Sequence, residues 1–376
     1  SYLDDTVAWY ENNGSGAFTE HIISTAVYAT YSVTTADVDG DGDMDVLSTS
    51  WNDDKIAWYE NDGSESFTEH TITTAANGAT SVTTADVDGD GDMDVLSASF
   101  YDDKIAWYEN DGSEIFTAHT ITTAANAARS VTTADVDGDG DMDVLSASAN
   151  DDTIAWYEND GSENFTEHTV STGADYATSV TTADVDGDGD MDVLSASAVD
   201  DTIAWYQNDG SENFTEQTIS TTADGAYSVS TADVDGDGDM DVLSASSNDD
   251  TIAWYENDGS ENFTAHTITT VADGAISVTT ADIDGDGNLD VLSASSGDDT
   301  IAWYDLNLTP TTGVSTLDFS SLGLNAGDRI TLNITGGSNV TGVIGSAGLD
   351  ALLTSMASDV ATQTSLFSGA SASSGV

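Results

Sequence analysis

Short alternations of apolar and polar residues fill residues 1–304, and no helical spacing competes with them there. In the stretch 81–123 the alternation divides into four segments, 81–85, 94–99, 104–109 and 116–123, with turn residues between them. The third, Lys104-Ile105-Ala106-Trp107-Tyr108-Glu109, carries side chains suited to a pleated, half-buried surface. Asn110-Asp111-Gly112 then supplies residues that tolerate the positive φ of a hairpin turn. Each unit is therefore predicted to be a sheet of four antiparallel strands.

The unit recurs every 49 residues. Trp9, Trp58, Trp107, Trp156, Trp205, Trp254 and Trp303 mark seven third strands, whereas an acidic loop between first and second strands occurs only at Asp37, Asp86, Asp135, Asp184, Asp233 and Asp282. Four strands in a repeat of about 40–50 residues is the size of a propeller blade. The expected fold is an all-β propeller of four-stranded blades. Seven blades are expected if an upstream segment or a neighbouring subunit completes the partial units at the two ends, and six is the alternative. Ser1-Tyr2-Leu3-Asp4-Asp5 aligns with Ser99-Phe100-Tyr101-Asp102-Asp103, which puts residue 1 in mid-repeat and implies a longer polypeptide.

The propeller is assigned to residues 1–304, a linker containing Pro310 to 305–315, and a small α+β domain to 316–376. In the last, segments 316–319, 329–334 and 340–344 alternate like strands. Leu349, Leu352, Leu353, Met356 and Val360 form one helical stripe near 349–362. So small a domain has a thin core, and it is expected to continue past Val376.

Charge changes this picture more than overall hydropathy does. Seventy acidic residues face four basic ones, a formal net charge of −66, which excludes nucleic acid and anionic membrane as partners. Apolar residues at fixed positions in every unit argue against disorder. With no cysteine, nothing covalent can staple the fold, and metal at the loops is expected to do so. Residues 1–30 hold no signal pattern, so any export signal lies elsewhere.

The loops set carboxylates at every second position. The six copies are Asp37, Asp39, Asp41, Asp43 and Asp45; Asp86, Asp88, Asp90, Asp92 and Asp94; Asp135, Asp137, Asp139, Asp141 and Asp143; Asp184, Asp186, Asp188, Asp190 and Asp192; Asp233, Asp235, Asp237, Asp239 and Asp241; and Asp282, Asp284, Asp286, Asn288 and Asp290. Positions 1, 3, 5 and 9 would offer side chains and position 7 its carbonyl, an assignment to which Asn288 is indifferent. So many oxygen donors suit Ca2+, up to six ions, one per loop, acting as structural clips. The EF-hand needs a glutamate at position 12, where this chain has Ser48.

Asp-x-Asp-x-Asp-Gly-x-x-Asp within strand-rich units resembles FG-GAP/VCBS-type repeats. That resemblance implies a propeller of the kind found in integrin α-chain heads, fungal lectins and large bacterial secreted or surface proteins, with calcium between the first two strands of a blade. The near-identical units are most similar to the bacterial members.

Other candidate chemistry is repeated too. His21, His70, His119, His168 and His266 share one place in the fourth strand, where Gln217 stands in the remaining copy, and they read as packing residues. Lys55, Lys104, Arg129 and Arg329 are too scattered for an anion site, and pairs such as Asp53-Asp54 read as turns. Trp58-Tyr59 and its copies read as packing between blades, although such faces also stack on sugars. The expectation is a calcium-stabilised extracellular or cell-surface module, bacterial in type and not an enzyme, that mediates adhesion or structural display. Its partner would be a protein or glycan on another surface, or other copies of itself. The alternatives are a lectin with blade-repeated sites and a subunit of an extracellular filament or matrix.

Overall fold

A computed structural model describes residues 5–14, 16–306, 329–332 and 340–343. The chain divides into two compact units, Ser1–Leu308 and Thr309–Val376. Among the described residues of the first unit all regular structure is strand.

Blade one consists of Thr30–Ala36, Asp45–Ser50, Lys55–Asn61 and Phe67–Thr73, paired in that order as an antiparallel sheet. Blades two to five repeat it, opening with Ala79–Ala85, Ala128–Ala134, Ala177–Ala183 and Ala226–Ala232. Blade six has three strands, Ala275–Ala281, Asp290–Ser295 and Thr300–Tyr304. Val7–Asn12 and Phe18–Ser24 form a separate two-stranded sheet that corresponds to the outer half of a blade. Of the two counts expected, six is therefore the number of blades.

The hairpin sits between blade six and blade one. In the regular ring a third-strand asparagine donates its Nδ2–H to the blade before it, as Asn110 does to the Val38 carbonyl at 2.9 Å and Asn159 to that of Val87. Asn12 of the hairpin makes the same bond to Ile283 of blade six at 2.5 Å. On its other side Val7 joins the core that holds Val46 and Tyr59 of blade one.

Alternation along the third strand explains the core. In register, Trp58 lies opposite Leu47 and Tyr59 opposite Val46, so the two rings leave the sheet on opposite faces. Trp58 packs forward with Ile56 and Leu47 against Val82, Val95 and Tyr108 of blade two, while Tyr59 packs backward. Both are about 1% exposed, which removes them as blade-repeated sugar platforms. Each blade thus buries one face against each neighbour, the nearest-neighbour logic of a repeat array.

The expected turns are present with a further duty. The second aspartate of each pair takes positive φ, as Asp54 does at 56°, and its Oδ1 accepts the Gly78 N–H at the start of the next blade at 3.0 Å. His70 stacks on Trp58 with ring centroids 4.5 Å apart and bonds Glu60 through Nε2 at 2.8 Å, which bears out its packing role. In the second unit the described strands are Arg329–Leu332 and Val340–Val343, an antiparallel pair within the segments expected. The expected strand at 316–319 and helix near 349–362 lie outside the described residues.

Candidate metal centre

Each loop is wound by its own carboxylates. In blade one Asp37 Oδ2 accepts the Gly42 N–H at 3.0 Å, Asp39 Oδ1 that of Asp41 at 3.0 Å, and Asp41 Oδ1 that of Asp43 at 2.9 Å. These are side chain–backbone turns of the kind aspartate favours. Gly42 at φ +97 allows the chain to double back at position 6.

Winding the loop this way gathers the carboxylates. Ligand-capable oxygens of Asp37, Asp39 and Asp41 lie within 4.8 Å of one another, as do those of Asp86, Asp88 and Asp90. In blades three, four and five the gathered sets are Asp135, Asp137 and Asp143; Asp184, Asp186 and Asp192; and Asp233, Asp235 and Asp241. Oδ1 of the position-1 aspartate is buried without a hydrogen-bond partner in five blades, at Asp37, Asp86, Asp135, Asp184 and Asp233. A buried carboxylate oxygen with no donor is costly. A cation among these oxygens removes that cost, so the donor set fits a hard, oxygen-seeking metal.

Position 9 has a second role that its sequence does not reveal. Asp94 is fully buried, and its two oxygens accept the Val87 N–H at 2.9 Å and the Asn110 N–H at 2.8 Å. It ties the loop to the third strand whether or not it also faces a cation. Burial pushes its pKa up to about 6 against the pull of those two N–H groups, and Asp143, Asp192 and Asp241 behave alike.

Position 7 turns away from the gathered oxygens. The Asp92 carboxylate lies over Gly112 in the third-to-fourth-strand turn, where a Cβ on the glycine would stand 2.3 Å from Oδ2. Asn288 is not indifferent either, because its Nδ2 donates to Asp286 Oδ2 at 3.1 Å and so competes for a position-5 oxygen. Sequence reasoning missed the third-strand acid beside the loop. Glu60, Glu109, Glu158 and Glu256 add to the upward pKa shifts, caused first by burial, of Asp39, Asp88, Asp137 and Asp235. In blade four Gln207 replaces that acid and donates to Asp186 Oδ2 at 2.6 Å. The signal was present in the sequence, since the same unit also carries Gln217 in place of histidine.

These observations define a β-propeller whose blades each carry an acidic, oxygen-rich loop. The chain belongs to the FG-GAP-like repeat family, whose model matches at 1–48, 40–97, 86–146, 135–195, 184–244 and 233–293. No curated protein matches it. Among solved structures it is similar to a candidate 6-phosphogluconolactonase from Bacteroides fragilis, with TM-score 0.60, 14% identity, and coverage of 82% of this chain and 89% of that one. A streptogramin B lyase gives TM-score 0.58 at 15% identity, over 81% and 88% of the two chains. A Lactobacillus plantarum protein gives 0.56 at 13%, over 77% and 87%. At such identity the likeness is one of fold.

That likeness corrects the expectation that the chain is not an enzyme. Proteins named as enzymes share this scaffold, so neither the propeller nor its repetition excludes catalysis.

Proposed function

We propose that the chain is a calcium-stabilised, extracellular propeller module of a large surface or secreted protein, serving adhesion or structural display. The observation that carries the calcium part is the buried, partnerless Oδ1 repeated at position 1 of five loops. Asp37, Asp39 and Asp41 and their copies would hold the ion, with Asp45 and its copies closing the site while they brace the third strand. Calcium would supply the positive charge that lets these oxygens stay together, fixing the first two strands of each blade. Extracellular placement rests on the charge of −66, which suits a chain in salty, calcium-containing water, and on calcium being abundant outside cells.

Isothermal titration of the chelator-treated chain tests the reading. Binding of about five to six Ca2+ with a matching rise in melting temperature is expected. Absence of any calcium-linked change in the melt would remove the structural-calcium role. Retention of the calcium-loaded chain on cells or matrix, lost in chelator, tests the adhesive part separately.

A further inference from the structure

One repeat position in the first strand of each blade is held by Tyr31, Thr80, Arg129, Thr178, Tyr227 and Ile276. Large side chains alternate with smaller ones. The Thr80 hydroxyl turns back to the backbone, lying 3.1 Å from the Ala98 carbonyl and 2.9 Å from that of Ala128, and Thr178 does the same one turn of the pattern later. Tyr31, Arg129 and Tyr227, from blades one, three and five, instead meet one another across the ring's axis. Arg129 Nη1 donates to Tyr31 Oη at 2.8 Å, and the Tyr31 and Tyr227 hydroxyls bond each other.

Two features distinguish this cluster from channel filling. Arg129 has no carboxylate within ion-pair distance among the described residues, in a chain with 70 acids, whereas Lys55 and Lys104 pair with Glu69 and Asp102. Its Nε is buried with no hydrogen-bond partner. Tyr176, which accepts from Nη2 at 2.5 Å, stands at a turn position whose positive φ is shared by every repeat, with Ala29, Gly78, Ala127, Gly225 and Gly274 in the other copies.

Aromatic faces adjoin the guanidinium. The Phe100 ring lies 4.6 Å from Arg129 Cζ, and Trp51 stands 5.3 Å from Phe100 and 5.1 Å from Tyr101 by ring centroids. Tyr101 is 59% exposed and rests on Gly78, where a Cβ would come within 2.6 Å of its ring. Trp51, Phe100 and Tyr101 follow second strands, so strand direction puts them at the opposite end of the blades from the acidic loops.

We propose that this end of the axis binds one acidic sugar, a pyranose bearing a carboxylate. Arg129 would take the carboxylate, the exposed Tyr101 ring, backed by Trp51, the apolar ring face, and the tyrosine hydroxyls the sugar hydroxyls. The carboxylate is favoured over a neutral sugar because it supplies the counter-charge that the protein withholds from Arg129. The site is single, since no other blade carries a basic residue at this place. It stands independently of calcium occupancy and of adhesion.

Calorimetry of the full chain in calcium buffer, with tri-galacturonate and neutral galactotriose as probes, tests the proposal. One equivalent of tri-galacturonate should bind and galactotriose should bind at least about tenfold more weakly. Arg129→Gln should weaken the acidic probe by about 10- to 100-fold, the range for losing a hydrogen bond to a charged group, with calcium binding unchanged. Tyr101→Ala, at an exposed position, should weaken it several-fold and serves if Arg129→Gln does not fold. No binding by the folded wild-type chain overturns the site, as does equal binding of both sugars. Unchanged affinity in folded Arg129→Gln or, where that variant fails to fold, in Tyr101→Ala also overturns it.

Discussion

Replacing Asp94 with alanine separates its two roles, because they respond oppositely to calcium. The substitution orphans two buried donors, the N–H groups of Val87 and Asn110. At about 1–3 kcal/mol each, the loss is about 2–6 kcal/mol. It also removes a carboxylate whose burial raises its pKa from 3.8 to about 6. At pH 7 without calcium, relief of that strained charge returns about 3 kcal/mol. The two terms nearly offset in chelator, so Asp94→Ala should then cost only up to about 3 kcal/mol. With calcium present the charge is already compensated, the relief vanishes, and the full cost appears along with the loss of a ligand. Amide hydrogen exchange of peptides spanning Val87 and Asn110, followed by mass spectrometry, reads these local free energies without requiring a two-state melt. Equal destabilisation with and without calcium would refute the reasoning. So would protection of both amides unchanged from the parent chain.

In chelator, stability should fall as pH rises from about 4 through 6. Asp94, Asp143, Asp192 and Asp241 have folded pKa values of about 6 against an ordinary 3.8, so their contribution is full below the lower value and lost above the higher; a melting temperature that climbs across this window in chelator contradicts it. Gly112→Ala should destabilise blade two by about 1 kcal/mol or more, because φ is +68 and the new Cβ meets Asp92, and a chemical-denaturation midpoint unchanged from the parent would count against that contact. Trp107→Ala should cost about 3–5 kcal/mol by opening the interface to blade three, and a smaller effect than Tyr101→Ala on the melt would show the core assignment to be mistaken.

Strand order and loop spacing were legible because period and turn chemistry are local properties. The Trp58-Tyr59 alternation reads as two buried faces for the same reason, and the structure shows both rings in the core. What the sequence hid depends on partners distant along the chain. Asp94 looks like one more loop ligand until Asn110 is seen to donate to it. Asp92 has the same residue type and spacing as its neighbours, yet its direction is set by Gly112. Arg129 looked scattered because its neighbours Tyr31, Tyr176 and Tyr227 come from other blades and only ring closure brings them together.

The sameness of the blade interfaces bears on how the ring assembles. Leu47, Ile56 and Trp58 meet the next blade as Leu96, Ile105 and Trp107 meet theirs, so a blade docking one repeat out of place would bury the same surfaces. Interface energy cannot proofread such a slip. The axial residues can, because moving one blade out of order would put threonine where Arg129 expects a tyrosine hydroxyl. Among otherwise interchangeable blades, Tyr31, Arg129 and Tyr227 thus form the contact that only the native order of blades one, three and five allows.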